Sequence, residues 1–306
     1  MTLSRCRFYV VTLFKNLFSI RGGTAFLSSL GSFYSILKFA DYFHLAQQSD
    51  VQKFFWIFVF LGACGAIWIC RPKLAVSCNL RDRDVVIEVA VGDIFSFPGA
   101  IVVGTNSTFD TRISTELIAA TSIQGQFTRR YYEDHAPLDA ELSAGLSASP
   151  YEALSGQRIG KKKRYPLGTA VRLQPKSRTG YFLAITHIND HGVAEGTFED
   201  LKDALGQLWV FIGQRGSKET LVMPVLGSGF ARLAQPRQVI VQEIIKSFIA
   251  ACSERTFCDK LTIVLGPNDV MKCNVDIQAL HAYLRHLCTY TEFAPRIDDR
   301  VGRPVN

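Results

Sequence analysis

From residue 85 onward, short apolar runs alternate with longer amphipathic segments, and no other feature of the chain constrains its fold as strongly. An apolar run bounded by turn residues predicts a buried strand, whereas an apolar period of 3.6 residues predicts a helix. Strands that alternate with helices predict an α/β domain with both faces of the sheet covered. The predicted strands are 85–89, 100–103, 169–173, 181–186, 220–223 and 261–265, and the predicted helices are 113–132, 197–213, 236–254 and 276–287.

Composition narrows the class of protein. A chain of 306 residues is long enough to form one large core or two domains. Its hydrophobic content of 48% excludes a disordered polar protein. The formal net charge of +7 is spread along the chain, so the basic residues indicate a solvated surface and no nucleic-acid site. Eight cysteines without a CxxC pair argue against a zinc site and against a disulfide scaffold, and they favour a reducing compartment.

Two histidines, His187 and His191, are four residues apart, a spacing that superficially suggests a metal site. His187 is predicted near the end of a strand, and His191 precedes a glycine in a turn. We therefore expect a packed or hydrogen-bonded histidine at a sheet end and no metal site. Because no serine or cysteine lies in a GxSxG-type motif, no catalytic nucleophile is predicted either.

Residues 1–75 differ from the rest of the chain. Residues 54–70 contain no charge, have basic residues on both sides, and are just long enough to cross a bilayer core of ~30 Å. Residues 24–40 form a weaker candidate span, with four serines and with Lys38 near its end, where a lysine can snorkel. The sequence thus predicts an N-terminal hairpin of two transmembrane helices. Two buried helices of a soluble domain are the alternative.

The distribution of charge gives an orientation. Basic residues precede the first predicted span and follow the second, whereas the connector contains Asp41 and Asp50. The positive-inside bias places both termini in the cytoplasm, and we expect the protein in the cell inner membrane. Small residues recur four positions apart in both spans, a spacing that favours association of helices in lipid but that also arises because glycine and serine are common in weak spans.

Residues 133–164 interrupt the α/β pattern, with many small residues and the basic run 161–164 near the end. This composition predicts a loop or insertion on the surface of the domain. The basic run is typical of a solvated face, and an anionic partner is the alternative.

Two polar loops follow predicted strands, and ligands of α/β sheets bind outside the carboxyl ends of strands. The first loop, 104–113, is rich in small hydrogen-bonding side chains, and the second, 223–233, contains Gly227, Ser228 and Gly229. Glycines let backbone amides approach oxygen atoms closely, and a following helix start favours phosphate. Two such loops in one domain predict a diphosphate ligand.

A third candidate lies upstream of these loops. Asp93 follows the first predicted strand, where its carboxylate can accept a hydrogen bond from an exocyclic amine. The alternative is that the side chain caps a helix or turn.

The order of these segments resembles a macro domain over residues 85–290, which leaves 291–306 as a tail. The resemblance is carried by Gly92-Asp93-Ile94, by "AIVVGTN" ending in Asn106, and by "GTAVRL", "GYFLAITHI" and "MPVLGSGF". It implies a three-layer α/β/α sandwich with a mixed central sheet that binds ADP-ribose. It also implies that Asp93 and Ile94 hold the adenine end and that Asn106 lies near the distal ribose. The second phosphate loop would be formed by Leu226, Gly227, Ser228, Gly229 and Phe230, with Phe230 beside the terminal ribose.

The first loop departs from the macro-domain pattern. Where the family has a run of glycines after its asparagine, this chain has "STFDTRIS" at 107–114. Loss of the glycines puts hydrolysis in doubt, so we expect a binding domain and not an enzyme. Asp110 and Thr111 become candidates for contacting the extra group of the ligand. Arg112 is suited to a phosphate, and a pair with Asp110 or an ordinary surface position are its alternatives.

Two predicted spans before a divergent macro domain resemble the membrane-anchored macro effectors of the Thoeris anti-phage defence systems. The resemblance implies that a TIR-domain partner makes an ADP-ribose conjugate from NAD, bearing histidine or imidazole, and that the macro domain binds it. The membrane segments would then oligomerise and disrupt the membrane, which causes abortive infection. No cofactor is expected beyond this ligand. A membrane-tethered ADP-ribosyl hydrolase and an anchored reader of ADP-ribosylated proteins remain the alternatives.

Overall fold

The computed structural model describes residues 3–43, 55–81, 83–114, 117–155, 159–188, 194–227, 233–293, 297–298 and 303–304. The chain divides into two compact units, Met1–Leu74 and Ala75–Asn306. Each unit is described by itself below.

The described part of the first unit is helical, and two of its helices meet at glycines. The helices are α1 (Leu3–Leu17), α2 (Ile20–Tyr42) and α3 (Phe55–Ile69). A Cβ atom on Gly62 would lie 2.8 Å from the Leu30 side chain, and one on Gly65 would lie 2.6 Å from the Ser29 hydroxyl. The absence of side chains at these two positions therefore allows α2 and α3 to approach closely.

Among the described residues, no helix combines the length with the apolar character that a membrane crossing requires. The predicted span 24–40 lies inside α2, whose 23 residues include Arg21, Lys38 and Asp41. The predicted span 54–70 corresponds to α3, which has 15 residues. The structure therefore gives the predicted transmembrane hairpin no support.

The second unit is built on one mixed sheet. Its strands lie in the order β1, β2, β10, β9, β3, β7, β6, with β8 paired to one end of β7. The five strands from β2 to β7 in this order are mutually parallel, whereas β1, β6 and β8 pair antiparallel with their neighbours. Their bounds are β1 (Ala75–Asn79), β2 (Val86–Val91), β3 (Ala100–Asn106), β6 (Ala170–Leu173), β7 (Gly180–Ile188), β8 (Ala194–Glu195), β9 (Leu221–Pro224) and β10 (Lys260–Leu265).

Helices cover both faces of this sheet. Phe182 of β7 packs against Phe127 of α4 (Ile123–Tyr131), with ring centroids 5.4 Å apart. Its neighbour Tyr181 packs against Phe211 of α6 (Phe198–Arg215) at 6.4 Å. Consecutive strand residues point to opposite faces, so α4 and α6 lie on opposite sides. The remaining helices are α5 (His135–Gly145), α7 (Arg237–Glu254), α8 (Pro267–Cys273) and α9 (Ile277–Tyr290).

The sheet confirms the predicted α/β class with a mixed central sheet, but one local prediction is wrong. The helix predicted from 113 begins only at Ile123, where the Ser122 hydroxyl accepts a hydrogen bond from the Gly125 amide and caps the helix. The segment 133–164, predicted as a loop or insertion, is an insertion that contains α5 and a short hairpin of β4 (Glu152–Ala153) and β5 (Lys163–Arg164). Two further two-residue strands, β11 (Ile297–Asp298) and β12 (Arg303–Pro304), pair in the predicted tail.

Candidate ligand-binding site

The carboxyl ends of the parallel strands share one edge of the sheet, and three predicted site residues follow them. Asp93 lies shortly after β2, Asn106 ends β3, and Gly227 lies shortly after β9. In the sheet β9 is next to β3, while β10 and β9 separate β2 from β3. With about 4.8 Å between neighbouring strands, this edge extends about 14 Å from β2 to β3. It is the edge at which α/β sheets bind ligands.

Asp93 shapes the turn that begins the site. One carboxylate oxygen accepts a hydrogen bond of 3.1 Å from the Phe95 amide, which caps a single 3₁₀ turn at Ile94–Ser96. The other oxygen lies 3.7 Å from the Arg130 guanidinium. The Ile94 side chain is buried in the core between the sheet and α4. Asp93 therefore caps a turn, which was the alternative to contact with an exocyclic amine in the sequence analysis. Its side chain stays partly exposed.

Asn106 is the centre of a buried hydrogen-bond network. Its Oδ1 accepts hydrogen bonds from the backbone amides of Thr108 and Asp110, each at 3.2 Å, and lies 3.0 Å from the Thr108 hydroxyl. Its Nδ2 donates to Asp110 Oδ2 at 3.1 Å. The turn is completed by Phe109, whose positive φ of 50° belongs to the left-handed region. The small polar residues after β3 thus bond mainly to one another.

The Asp110 carboxylate also reaches the insertion. Its Oδ1 accepts a hydrogen bond of 2.7 Å from the Lys161 amide, and Lys161 Nζ donates to the Phe109 carbonyl at 2.7 Å. Gly160 has a φ of +113°, and a Cβ atom there would lie 2.6 Å from Asp110 Oδ1. A glycine is therefore required for the insertion to approach the carboxylate.

Thr111 and Arg112 have different surroundings although they are adjacent. The buried Thr111 hydroxyl donates to Asp139 Oδ1 of α5 at 2.7 Å, and the same oxygen lies 2.5 Å from Lys161 Nζ. Arg112 is exposed. Of the candidate residues in this loop, Arg112 is the one whose side chain is open to an approaching anion.

The second loop starts with a buried leucine and a glycine in a left-handed conformation. The Leu226 side chain is buried, and Gly227 has a φ of +69°. A Cβ atom on Gly227 would lie 2.3 Å from the Leu233 side chain, and the Leu233 amide lies 3.4 Å from the Gly227 carbonyl. The loop therefore closes back on Gly227. Ser228, Gly229 and Phe230 lie outside the described residues.

Two clefts open at opposite ends of the strands. One, of about 560 Å³, lies at the amino ends of β3 and β7, remote from the predicted site. Arg178 lines it and donates hydrogen bonds to the carbonyls of Gly99 (2.7 Å), Phe95 (3.2 Å) and Phe97, which explains its position structurally. The other cleft, of about 300 Å³, lies at the carboxyl end of β7, where His187 lines it.

A comparison with protein families identifies this architecture. A family profile described as the macro domain of Thoeris protein ThsA matches residues 87–266, more than half of the chain. The chain belongs to the Thoeris ThsA macro-domain family. Membership supports a role in anti-phage defence, and the resemblance to a macro domain deduced from the sequence is confirmed at this level.

Individual relatives of the macro domain are distant. Thoeris protein ThsA from Bacillus amyloliquefaciens (strain Y2) is 26% identical over 208 residues, which cover 65% of this chain and 68% of that protein. A solved Oceanobacillus iheyensis macrodomain with MES bound has a TM-score of 0.47 and 14% identity, covering 71% of this chain and 98% of that one. The same macrodomain with ADP has a TM-score of 0.45 and 13% identity, over 71% and 95%.

Sequence reasoning missed several residues that shape the edge of the macro domain. Asp139 and Gly160 belong to the insertion, and Arg130 belongs to α4, so all are remote in sequence from the strand ends that they contact. The basic run 161–164 was singled out, but nothing in it indicated that the Lys161 amide would bond to a buried carboxylate. His187 is hydrogen-bonded as expected, with its Nδ1 3.0 Å from the Ser107 hydroxyl, whereas His191 lies outside the described residues.

Metal ligands and cysteine thiols are the remaining groups that could carry chemistry. They hold no cluster of three or more histidine, cysteine, aspartate or glutamate side chains placed to bind a metal ion. Burial raises the pKa of the Cys252 and Cys288 thiols to about 12, which keeps both protonated at neutral pH. Neither thiol is therefore suited to act as a nucleophile.

Proposed function

We propose that this protein is a membrane effector of an anti-phage defence system, and that its macro domain binds an ADP-ribose-derived signal. The signal is a conjugate bearing histidine or imidazole and made by a TIR-domain partner enzyme. Binding promotes oligomerisation of the protein in the cell inner membrane and disruption of that membrane. The observation that carries this proposal is the shared strand edge of a Thoeris ThsA macro domain, where Asp93, Asn106 and Gly227 follow parallel strands.

The charges near this edge favour a diphosphate. Arg112 is exposed on the loop after β3, and the Arg130 side chain is about half exposed beside Asp93. Arginine binds phosphate oxygens in a bidentate manner, and the left-handed Gly227 begins a loop whose backbone can approach a phosphate closely. Asp93 is the acidic group for the adenine amine: one of its oxygens is used by the cap, and the other lies 3.7 Å from the partly exposed Arg130 guanidinium.

The network around Asn106 favours binding over hydrolysis. The Asn106 side chain is buried and both of its polar atoms have intramolecular partners. An amide held in this way is not available to position a water molecule at a bound substrate. We therefore propose a receptor without chemistry of its own, and keep hydrolysis of ADP-ribose derivatives and reading of ADP-ribosylated proteins as the alternatives.

The exposed side chains of the first unit favour its placement in an apolar environment. All but four of the large apolar side chains that are exposed in the described residues precede Ala75. Apolar surface of this extent marks contact with lipid or with another protein. The helix α3 has no charged residue, and α2 and α1 carry basic residues that suit a membrane surface. Lipid and further copies of the chain are the proposed partners of this unit.

The full-length protein, purified in detergent, tests the proposal. Calorimetric titration with ADP-ribose and with histidine-linked ADP-ribose should give binding, with the conjugate the tighter ligand. Light scattering should show a larger particle only after the conjugate is added, because a ligand shifts an equilibrium only by binding the two states unequally. Absence of binding by either compound contradicts the proposal, and release of free ADP-ribose from the conjugate favours the hydrolase.

A further inference from the structure

The β4–β5 hairpin of the insertion carries apolar side chains in solvent. Four large apolar side chains are exposed in the described part of the second unit, and two of them belong to this segment: Tyr151 is 53% exposed and Ile159 is 56% exposed. Tyr151 directly precedes β4, and Ile159 lies in the loop that joins β4 to β5. Single exposed apolar residues are ordinary, so the meaning of these two depends on their neighbours.

The same segment concentrates positive charge. Residues 150–164 contain five basic residues and one acidic residue, which supply more than half of the chain's formal net charge of +7. Lys162 and Lys163 are exposed, and neither pairs with a carboxylate in the part of the chain that the structure describes. The acidic residue, Glu152, lies 3.6 Å from the Arg164 guanidinium, so its charge is balanced by that arginine. The two lysines therefore give the hairpin a basic surface that attracts anions.

Pairing of the two short strands brings a lysine beside the exposed ring. Ala153 is opposite Lys163 in the hairpin, and Lys163 Nζ lies 4.4 Å from the centre of the Tyr151 ring. Tyrosine is enriched where lipid headgroups meet the hydrocarbon, and lysine keeps its charged end at the headgroups while its stem covers apolar surface. A surface of tyrosine, isoleucine and lysine thus suits the interface of an anionic bilayer better than it suits a purely polar acidic protein.

The base of the hairpin is held by the loop after β3. The Lys161 amide donates to Asp110 Oδ1 at 2.7 Å, and Lys161 Nζ bonds to the Phe109 carbonyl and to Asp139 Oδ1. These bonds remove Lys161 from the basic surface and fix the chain just before the two exposed lysines. The surface is therefore formed in advance, which lowers the ordering cost of a contact. It is also bonded directly to the first loop of the candidate ligand site.

We propose that this hairpin binds the surface of an anionic bilayer. Lys162 and Lys163 contact the lipid phosphates, while Tyr151 and Ile159 enter the interfacial layer. The inference rests on the membrane attachment in the proposed function and adds a second contact, made by the macro domain itself.

The size of the effect shows why the hairpin needs the first unit. One lysine near an anionic membrane contributes about fivefold in affinity, so two lysines alone give a weak contact. The first unit ends at Leu74, and β1 begins at Ala75. With the first unit in the membrane, the hairpin meets lipid as an intramolecular contact, for which a weak affinity is sufficient.

The test uses the full-length protein reconstituted with two kinds of vesicle, phosphatidylcholine alone and phosphatidylcholine mixed with phosphatidylglycerol. Flotation with the neutral vesicles measures attachment of the first unit. Acylation by a water-soluble N-hydroxysuccinimide ester, read by mass spectrometry of peptides, measures the exposure of each lysine. In anionic vesicles Lys162 and Lys163 should react about fivefold more slowly than in neutral ones, and high salt should remove this protection. Lys218 and Lys246, both exposed elsewhere on the domain, are the matched controls and should react equally in both.

Two variants separate the apolar contact from the charge. Tyr151→Ser should reduce the protection of both lysines severalfold, whereas Tyr290→Ser, at an exposed position of α9, should leave it unchanged. Lys163→Glu should reduce the protection of Lys162 severalfold, and Lys218→Glu is its control. All four positions are exposed, so the variants are expected to fold.

The outcomes separate this inference from the proposed function. Equal acylation of Lys162 and Lys163 in the two kinds of vesicle would overturn it, although flotation with neutral vesicles would leave the proposed function intact. Slow acylation in neutral vesicles and in detergent would overturn it too, because protein would then cover the lysines. Protection by a bacterial lysate in detergent, without protection by anionic vesicles, would assign the hairpin to an acidic protein instead. Failure to float with neutral vesicles would contradict the proposed membrane attachment, and protection by anionic vesicles in that case would support the hairpin contact alone.

Discussion

The Asp110 carboxylate accepts a hydrogen bond of 2.7 Å from the Lys161 amide, 51 positions later in the chain. Asn106 Nδ2 and the Thr108 hydroxyl lie 3.1 Å and 2.6 Å from its other oxygen. The protein's own carboxylate thus occupies the cluster of donors that an anionic ligand would need. The polar residues after β3 consequently fasten the insertion to the sheet, and this leaves Arg112 as their exposed charge.

Removing the carboxylate should destabilise the domain. Asp110→Ala leaves several buried donors without their acceptor, so we expect the free energy of unfolding to fall by about 2 kcal/mol or more. Thermal unfolding of the full-length protein measures this change. Asp203→Ala, at an exposed position of α6, is the control and should change stability by less than about 0.5 kcal/mol. Equal effects of the two variants would show that the Asp110 network contributes nothing to stability.

The approach of the insertion depends on the backbone at Gly160. Gly160→Ala places a Cβ atom 2.6 Å from Asp110 Oδ1 at a φ of +113°, and we expect a loss of about 1–3 kcal/mol. Gly206→Ala in α6 is the matched control, because its Cβ atom meets nothing within 4 Å. The control should stabilise by about 0.5–1 kcal/mol through helix propensity. Chemical denaturation of both variants measures the difference in sign, and a neutral Gly160→Ala would contradict the close approach.

Nucleotide binding should depend on Arg112. Arg112→Glu reverses an exposed charge on the first loop, so we expect binding of ADP-ribose to weaken about tenfold or more while stability stays unchanged. Calorimetric titration measures the affinity. Arg285→Glu makes the same change of charge on α9 and controls for the net charge of the domain. Equal losses for the two variants would indicate a nonspecific effect.

The buried thiols should resist alkylation in the folded protein. Burial raises the pKa of Cys252 and Cys288 to about 12, whereas Cys273 of α8 is exposed. At pH 8 iodoacetamide should therefore label the exposed Cys273 and label the buried cysteines only after denaturation, as mass spectrometry of peptides would detect.

The same shifts predict a dependence of stability on pH. Because the pKa of each thiol in the folded protein lies above its ordinary value of 9.0, the contribution of these thiols to stability is complete below about pH 9. The free energy of unfolding should fall as the pH rises toward 12. Rapid labelling of Cys252 at pH 8 without unfolding would contradict the burial of this thiol.

Local patterns were sufficient to predict the central strands. Apolar runs such as Ala100 to Val103 are buried on both faces, so their sequence alone excludes an exposed segment. The helix start at 123 was harder to predict, because residues 113 to 122 have apolar spacing suited to a helix. The Asp110 carbonyl accepts a hydrogen bond from Gln124 Nε2 at 2.7 Å, a contact that helps to hold the preceding segment out of the helix.

The sequence by itself determined that the chain beyond residue 85 forms an α/β domain and that polar loops follow its strands, because periodicity and turn chemistry are local properties. The strand Ala75–Asn79 at one edge of the sheet was not among the predicted strands. Only the tertiary structure decided the surroundings of those loops. Asp110 is buried against Lys161, Thr111 bonds to Asp139, and the rings of Tyr151 and His187 line one cleft. These pairs are joined by folding of the insertion over the sheet, and no local pattern encodes which distant donor will satisfy a buried acceptor.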